Sequence, residues 1–242
     1  MKNQIPVQVT QFTKSLECDV NMKCFSYKIE HDYGLAPNPF HGYCTLAVCK
    51  SQIRANKNLE IGDWIIGVGS QALGNYGSVI FAMYLEEKLT FNEYWNDERF
   101  ANKKPVVNGS LVQMYGDNFY HKENGKWIQE DSAHSKNNGI NKDHLERDIG
   151  GKYVLISKNY YYFGRNSLKI PKQYMQISPL RGARSYQYRN IPEEVKNAFI
   201  NWLKSTQIIG IHGEPTSWDK HISQSENKEW DNFLQWEKSL EQ

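Results

Sequence analysis

Short strand-like segments broken by turn residues set the narrowest limits on how this chain can fold. CFSYKIEH, from Cys24 to His31, alternates and places Phe25, Tyr27 and Ile29 on one face. YCTLAVC, from Tyr43 to Cys49, is a brief apolar run that reads as a buried strand, although a helical start also fits it. IGDWIIGVGS opens a strand at Gly62-Asp63, SVIFAMYL runs to Leu85, and KYVLIS supplies another that NYYYFGR continues or pairs with. Nothing in the 242 residues approaches the roughly 18 apolar residues of a membrane span. The start, MKNQIPVQVTQ, lacks the basic and apolar regions of a signal peptide, so a soluble, cytoplasmic protein is expected.

Local signals place the remaining elements. Thr90-Phe91-Asn92-Glu93 is a capping box, so a short helix starts at Phe91 and carries Tyr94 and Trp95. Asn124-Gly125 is a two-residue hairpin signal that sets Lys122 opposite Trp127 and Tyr120 opposite Gln129 on one polar, aromatic face suited to a ligand. KSQIRANKN reads as a short helix or turn with Lys50 and Arg54 outward, and NGINKDHLERDIGG as a polar loop or short helix. Pro192-Glu193-Glu194 opens an amphipathic helix bearing Val195, Ala198, Phe199, Trp202 and Leu203, and a last helix starts near Glu226.

Two stretches are denser in polar and aromatic chemistry than packing requires, His31 to Ser70 and Tyr115 to Ser135. In the first, Pro37 and Pro39 stiffen a loop that presents Asn38, Phe40 and His41, and Gly67 and Gly69 leave the backbone open to close approach. In the second, Asp117, His121, Asp131 and His134 are metal-ligand types, but alternation along a hairpin makes His121 and Asp131 diverge, so no metal is expected. Cys18, Cys24, Cys44 and Cys49 lack CxxC spacing and read as reduced packing residues, with Cys44 alone kept as a candidate nucleophile.

Charge is uneven although the net value is only +2. From Ile149 to Pro192 there is no Asp or Glu, while Lys and Arg interleave with Tyr in NYYYFGR and RGARSYQYR. That pattern suits phosphate contact with base stacking, and equally a solvated face balanced by the acidic residues from Glu193 onward. P-loop, GxGxxG, HExxH, GxSxG and zinc-deaminase signatures are absent, and no cofactor is expected.

DYGLAPNPFHGYCTLAVCK, IGDWIIGVGS, TFNEYWND, YGDNFYH, HS and YYYFG together resemble the nucleotide modification associated domain 2 family of bacteria and phages, over roughly Cys24 to Gly164. The resemblance implies a role near DNA base-modification systems. The Gly-Asp turn after a basic segment is also similar to PUA-like domains, including EVE and YTH modules, which are small curved barrels with aromatic base pockets. The expected architecture is therefore α+β: a curved, mostly antiparallel sheet or small PUA-like barrel with flanking helices, spanning 1–190 with its basic connector, and a C-terminal pair of helices over 191–242 packed on it.

Two functions follow. As a recognition module for a modified or unusual nucleotide, free or within DNA or RNA, the protein stacks a base on Trp64, Trp95, Tyr120 or Trp127. Asn38, Ser70, Asn118 and His134 then read the base edge, Phe40, His41, Thr45 and Ser135 complete the pocket, and Lys50, Arg54, Arg165, Arg181 and Arg184 hold phosphate. As an enzyme acting on a nucleotide or base, it uses His41 or His134 as general acid or base, partnered by Asp117 or Asp63.

Overall fold

The structure, a computed structural model, describes residues 22–136, 139–179 and 186–219. It opens with β1 (Cys24–Ile29), β2 (Cys44–Leu46), α1 (Ser51–Arg54), β3 (Trp64–Gly69) and β4 (Ser78–Tyr84). β5 (Glu87–Thr90) runs directly into α2 (Phe91–Asn96), and α3 (Leu111–Met114) precedes a hairpin of β6 (Tyr120–Glu123) and β7 (Lys126–Gln129). Then come α4 (Lys142–Ile149), β8 (Tyr153–Ser157), β9 (Tyr160–Tyr162), β10 (Leu168–Lys169), α5 (Glu193–Thr206) and β11 (Gly210–Ile211).

The largest sheet has the order β1-β3-β4-β9-β11, with β10 also on β4; β2-β8-β5 form a second sheet and the hairpin a third. β1 with β3 and β11 with β9 run parallel, and the other pairings are antiparallel. This is a mixed α/β architecture of open sheets. Closure into a barrel requires every strand to be paired on both sides. Among the described residues no ladder joins β1 to β11, and β1 carries on its free edge only the bridge from Ser26 to Gln187, so the expected barrel does not form.

Period-two alternation assigns the two faces of the large sheet. Phe25, Tyr27 and Ile29 turn, as expected, into the space shared with Leu46 of β2 and Leu155 of β8. Trp64, Ile66 and Val68 point to the opposite face, where Phe199, Ile200 and Leu203 of α5 cover them. Chain beyond α5 returns to the sheet as β11. A third cluster joins α2 and the hairpin to β8 through Phe91, Tyr94, Phe119, Tyr120 and Val154.

Local chemistry acts where the sequence places it. Thr90 and Glu93 exchange both capping-box bonds at the start of α2. Asn124 and Gly125 adopt φ of 48° and 76° in the hairpin turn, and the register is Tyr120 to Gln129 and Lys122 to Trp127. The glycines of β3 serve packing rather than ligand approach: a Cβ on Gly67 would lie 2.3 Å from the Phe81 ring, and one on Gly69 would lie 2.0 Å from the Asn75 side chain. No helix among the described residues is long and apolar enough to cross a membrane. Cys18, Arg181, Arg184 and the helix expected from Glu226 lie outside the described residues.

Candidate active site

The Pro37–Pro39 loop is an internal tie. Asn38 is buried: its amide donates to the Tyr115 carbonyl, and its Oδ1 accepts from Lys103 Nζ at 2.7 Å. Thr45 Oγ1 and the Tyr94 hydroxyl donate to the two oxygens of Asp117, at 2.6 and 2.7 Å. Burial pushes the Asp117 carboxyl up and brings the Lys103 ammonium down to about 8. Asn118 is likewise turned inward, its amide bound to the Tyr94 and Phe100 carbonyls. His41, with φ of 60°, stands exposed outside this network, and Phe40 stacks on Trp218. This tightly closed cluster gathers Asn38, Thr45, Asp117 and Asn118 but does not present them to a ligand.

The other candidate residues make contacts of their own, and some turn inward. Trp64 is fully buried against Tyr84 and Tyr161, so it offers no ring face. The hairpin face turns inward at its base, where Tyr120 is buried; toward the tip Lys122 covers the half-buried Trp127. Trp95 has His121 stacked at 4.1 Å and Lys104 Nζ 3.7 Å from its ring centre. Asp63 accepts the backbone N–H groups of Lys23 and Glu60, and the Ser70 and Ser135 hydroxyls close local turns. Arg165 pairs with Asp219 at 3.0 Å and Glu214 at 3.5 Å. Arg54 points inward, not outward: its guanidinium donates to the Cys49, Tyr153 and Asp148 carbonyls, and burial lowers it to about 10. Gly151 makes room for it, since a Cβ there would lie 2.3 Å from the guanidinium carbon.

His134 belongs to a second constellation, whose other members the sequence reading missed. Its Nδ1 lies 2.7 Å from Oδ2 of the buried Asp148, and its Nε2 lies 4.0 Å from Cys49 Sγ. With Nδ1–H given to the carboxylate, Nε2 faces the sulfur. The same carboxylate accepts the Cys49 backbone N–H at 2.8 Å and the Tyr120 hydroxyl at 3.1 Å. Cys49 and Lys50 both hold positive φ, 55° and 40°, where L side chains are strained, so Asp148 and Arg54 pin a turn that local preference does not favour. Cys49 is half-buried, whereas Cys44 and Cys24 are fully buried, and burial pushes their thiols far up. Cys44 is thus placed in the core, and of the described cysteines Cys49 is the one with exposed surface.

Burial works to lower His134, but its bonds to Asp148 and Cys49 outweigh that and raise it to about 9. Burial likewise works to raise Asp148, and the His134 bond and charge hold it below the usual carboxylate value. His144 sets its ring edge-on to His134 at 4.3 Å, with its Nδ1 buried and unpartnered. Among the described residues, His134, His144 and Asp148 offer ligand atoms within 4.8 Å of one another and could gather around a metal ion. The set weighed from sequence does not converge: Asp117 lies in the closed cluster and His121 bonds Glu130. A signal for the missed members existed in the order Cys49, His134 and Asp148, with Cys49 at a strand-to-helix passage and Asp148 in a short polar helix.

Neither a curated protein nor a solved structure matches the chain. A family model does, over residues 21–222, and with most of the chain covered this protein belongs to the nucleotide modification associated domain 2 family.

Proposed function

We propose that this protein is a thiol enzyme of a nucleotide-modification system, with Cys49 as nucleophile, His134 as its acid and base, and Asp148 as the group that orients His134. The observation that carries this reading is the line from Cys49 Sγ through His134 Nε2 and Nδ1 to Asp148 Oδ2. The reaction class it suits is acyl transfer on a nucleotide or base substituent. The sulfur forms a bond to the acyl carbon as the bond to the leaving group breaks, and the thiol proton passes through His134 to that leaving group. Water or an amine then attacks the thioester, gives its proton to His134, and returns the thiol. Recognition of a modified or unusual nucleotide, free or within nucleic acid, is the substrate-selecting half of this function.

Iodoacetamide labelling mapped by peptide mass tests it. Cys49 is expected to react at least ~100-fold faster than the buried Cys24 and Cys44, and His134→Ala to slow it about tenfold or more at pH 6.5. Labelling unaffected by EDTA supports the triad over a metal at His134, His144 and Asp148. Equal rates in wild type and His134→Ala would remove the triad.

A further inference from the structure

We infer that the cavity beside the thiol is a phosphodiester subsite, and that the substrate is a nucleic-acid strand rather than a free nucleotide. The inference takes its orientation from the thiol-enzyme reading above. A cavity of about 300 Å³ is lined by Tyr27, Lys28, Lys50, Gln52, Arg147 and Tyr186, among others, and by no carboxylate. Two of its cations adjoin the triad: Lys50 directly follows Cys49 and its charge interacts with that residue, and Arg147 Nε lies 3.9 Å from Asp148 Oδ1.

The cationic wall of the cavity asks for an anion. Lys50 is half-buried, with its ammonium 4.6 Å from the centre of the Tyr27 ring and donating to the Lys28 carbonyl at 3.3 Å. Among the described residues it forms no ion pair, and burial makes its charge harder to hold and lowers its pKa. The Tyr27 ring forms the floor under that ammonium and leaves its charge unneutralised. A phosphate oxygen supplies the counter-charge.

The second half of the inference comes from the far wall. Tyr186 also lines a larger, open cavity of about 650 Å³ together with Asn56, Asn58, Tyr188 and Arg189. Tyr186 and Tyr188 lie nearly parallel, 6.1 Å apart, and their hydroxyls accept the Asn56 and Asn58 amides at 2.6 and 3.0 Å. An aromatic and amide surface of this kind takes a base by stacking and edge contacts. The thiol, the cationic cavity and the aromatic wall therefore match a reacting unit, its flanking phosphate and a neighbouring base, three groups that a strand supplies together and a mononucleotide does not.

Fluorescence anisotropy with labelled single-stranded DNA and RNA octamers of mixed sequence, competed by 2′-deoxynucleoside 5′-monophosphates, tests this on the full chain. Binding of either octamer is expected to weaken about tenfold or more in the Lys50→Gln/Arg147→Gln double variant. Monophosphates should compete at least ~100-fold less well than unlabelled octamer. Cys49→Ala should bind as wild type, so loss of the triad and loss of the subsite are read separately. Circular dichroism confirms that each variant is folded. Unchanged binding in the double variant, no binding of either octamer by wild type, or equal competition by monophosphates would overturn the inference.

Discussion

The closed cluster around Asp117 and the open one around Asp148 use similar residue types to opposite ends. Both bury a carboxylate among tyrosine, a basic side chain and backbone groups. Asp117 spends its oxygens on Thr45 and Tyr94, and Lys103 is fully buried on Asn38, so every strong polar contact is internal. Asp148 is just as buried, yet its contacts run outward, through His134 to a half-buried thiol at a strained turn. Burial of titratable groups is therefore not what marks a site here. The distinguishing feature is a hydrogen-bonded chain that ends on a reactive atom within reach of solvent.

Substitutions that separate the two clusters sharpen the contrast. Asp117→Ala should have the largest effect on stability, on the order of 3–5 kcal/mol, because it leaves Lys103 as an uncompensated buried charge. Urea unfolding measures this, and Cys49 labelling in the folded fraction should be unchanged; a slowed label would mean that the clusters are coupled. Next comes a pH effect carried by His134. Its folded value near 9 exceeds an unfolded value of about 6.5, so its contribution is fully present below about pH 6.5 and is lost as pH rises through 9. Wild type should lose about 3 kcal/mol more than His134→Gln between those limits, compared by denaturation at pH 6.5 and 9.5. A matching pH profile in the variant would mean that His134 is not held as an imidazolium. Smallest of all, His41→Ala should stay within about 0.5 kcal/mol of wild type and leave Cys49 labelling intact, since its ring stands exposed beyond the closed cluster. A marked loss of labelling would return His41 to the functional chemistry.

Much of the fold was legible because its signals are local. The capping box at Thr90, the Asn124-Gly125 turn, the amphipathic stripe of α5 and the alternation of β1 depend on neighbours a few residues away, and each appears where those neighbours require it. Strand pairing is a long-range choice. The parallel run of β1 beside β3 and the return of β11 to β9 leave the sheets open, where the Gly-Asp turn had suggested a barrel.

For the candidate site, the sequence by itself determined the family and singled out His134. Only the tertiary structure decided its partners. Cys49, His134 and Asp148 are separated by 85 and 14 positions, and no periodicity relates residues that far apart. Packing also decided which polar residues face outward: Trp64 and Arg54 carry the chemistry of a nucleotide site, but their backbone positions turn them into the core. Local sequence fixes which element forms and which residue types it carries, whereas the face each side chain presents depends on which surface the rest of the chain covers.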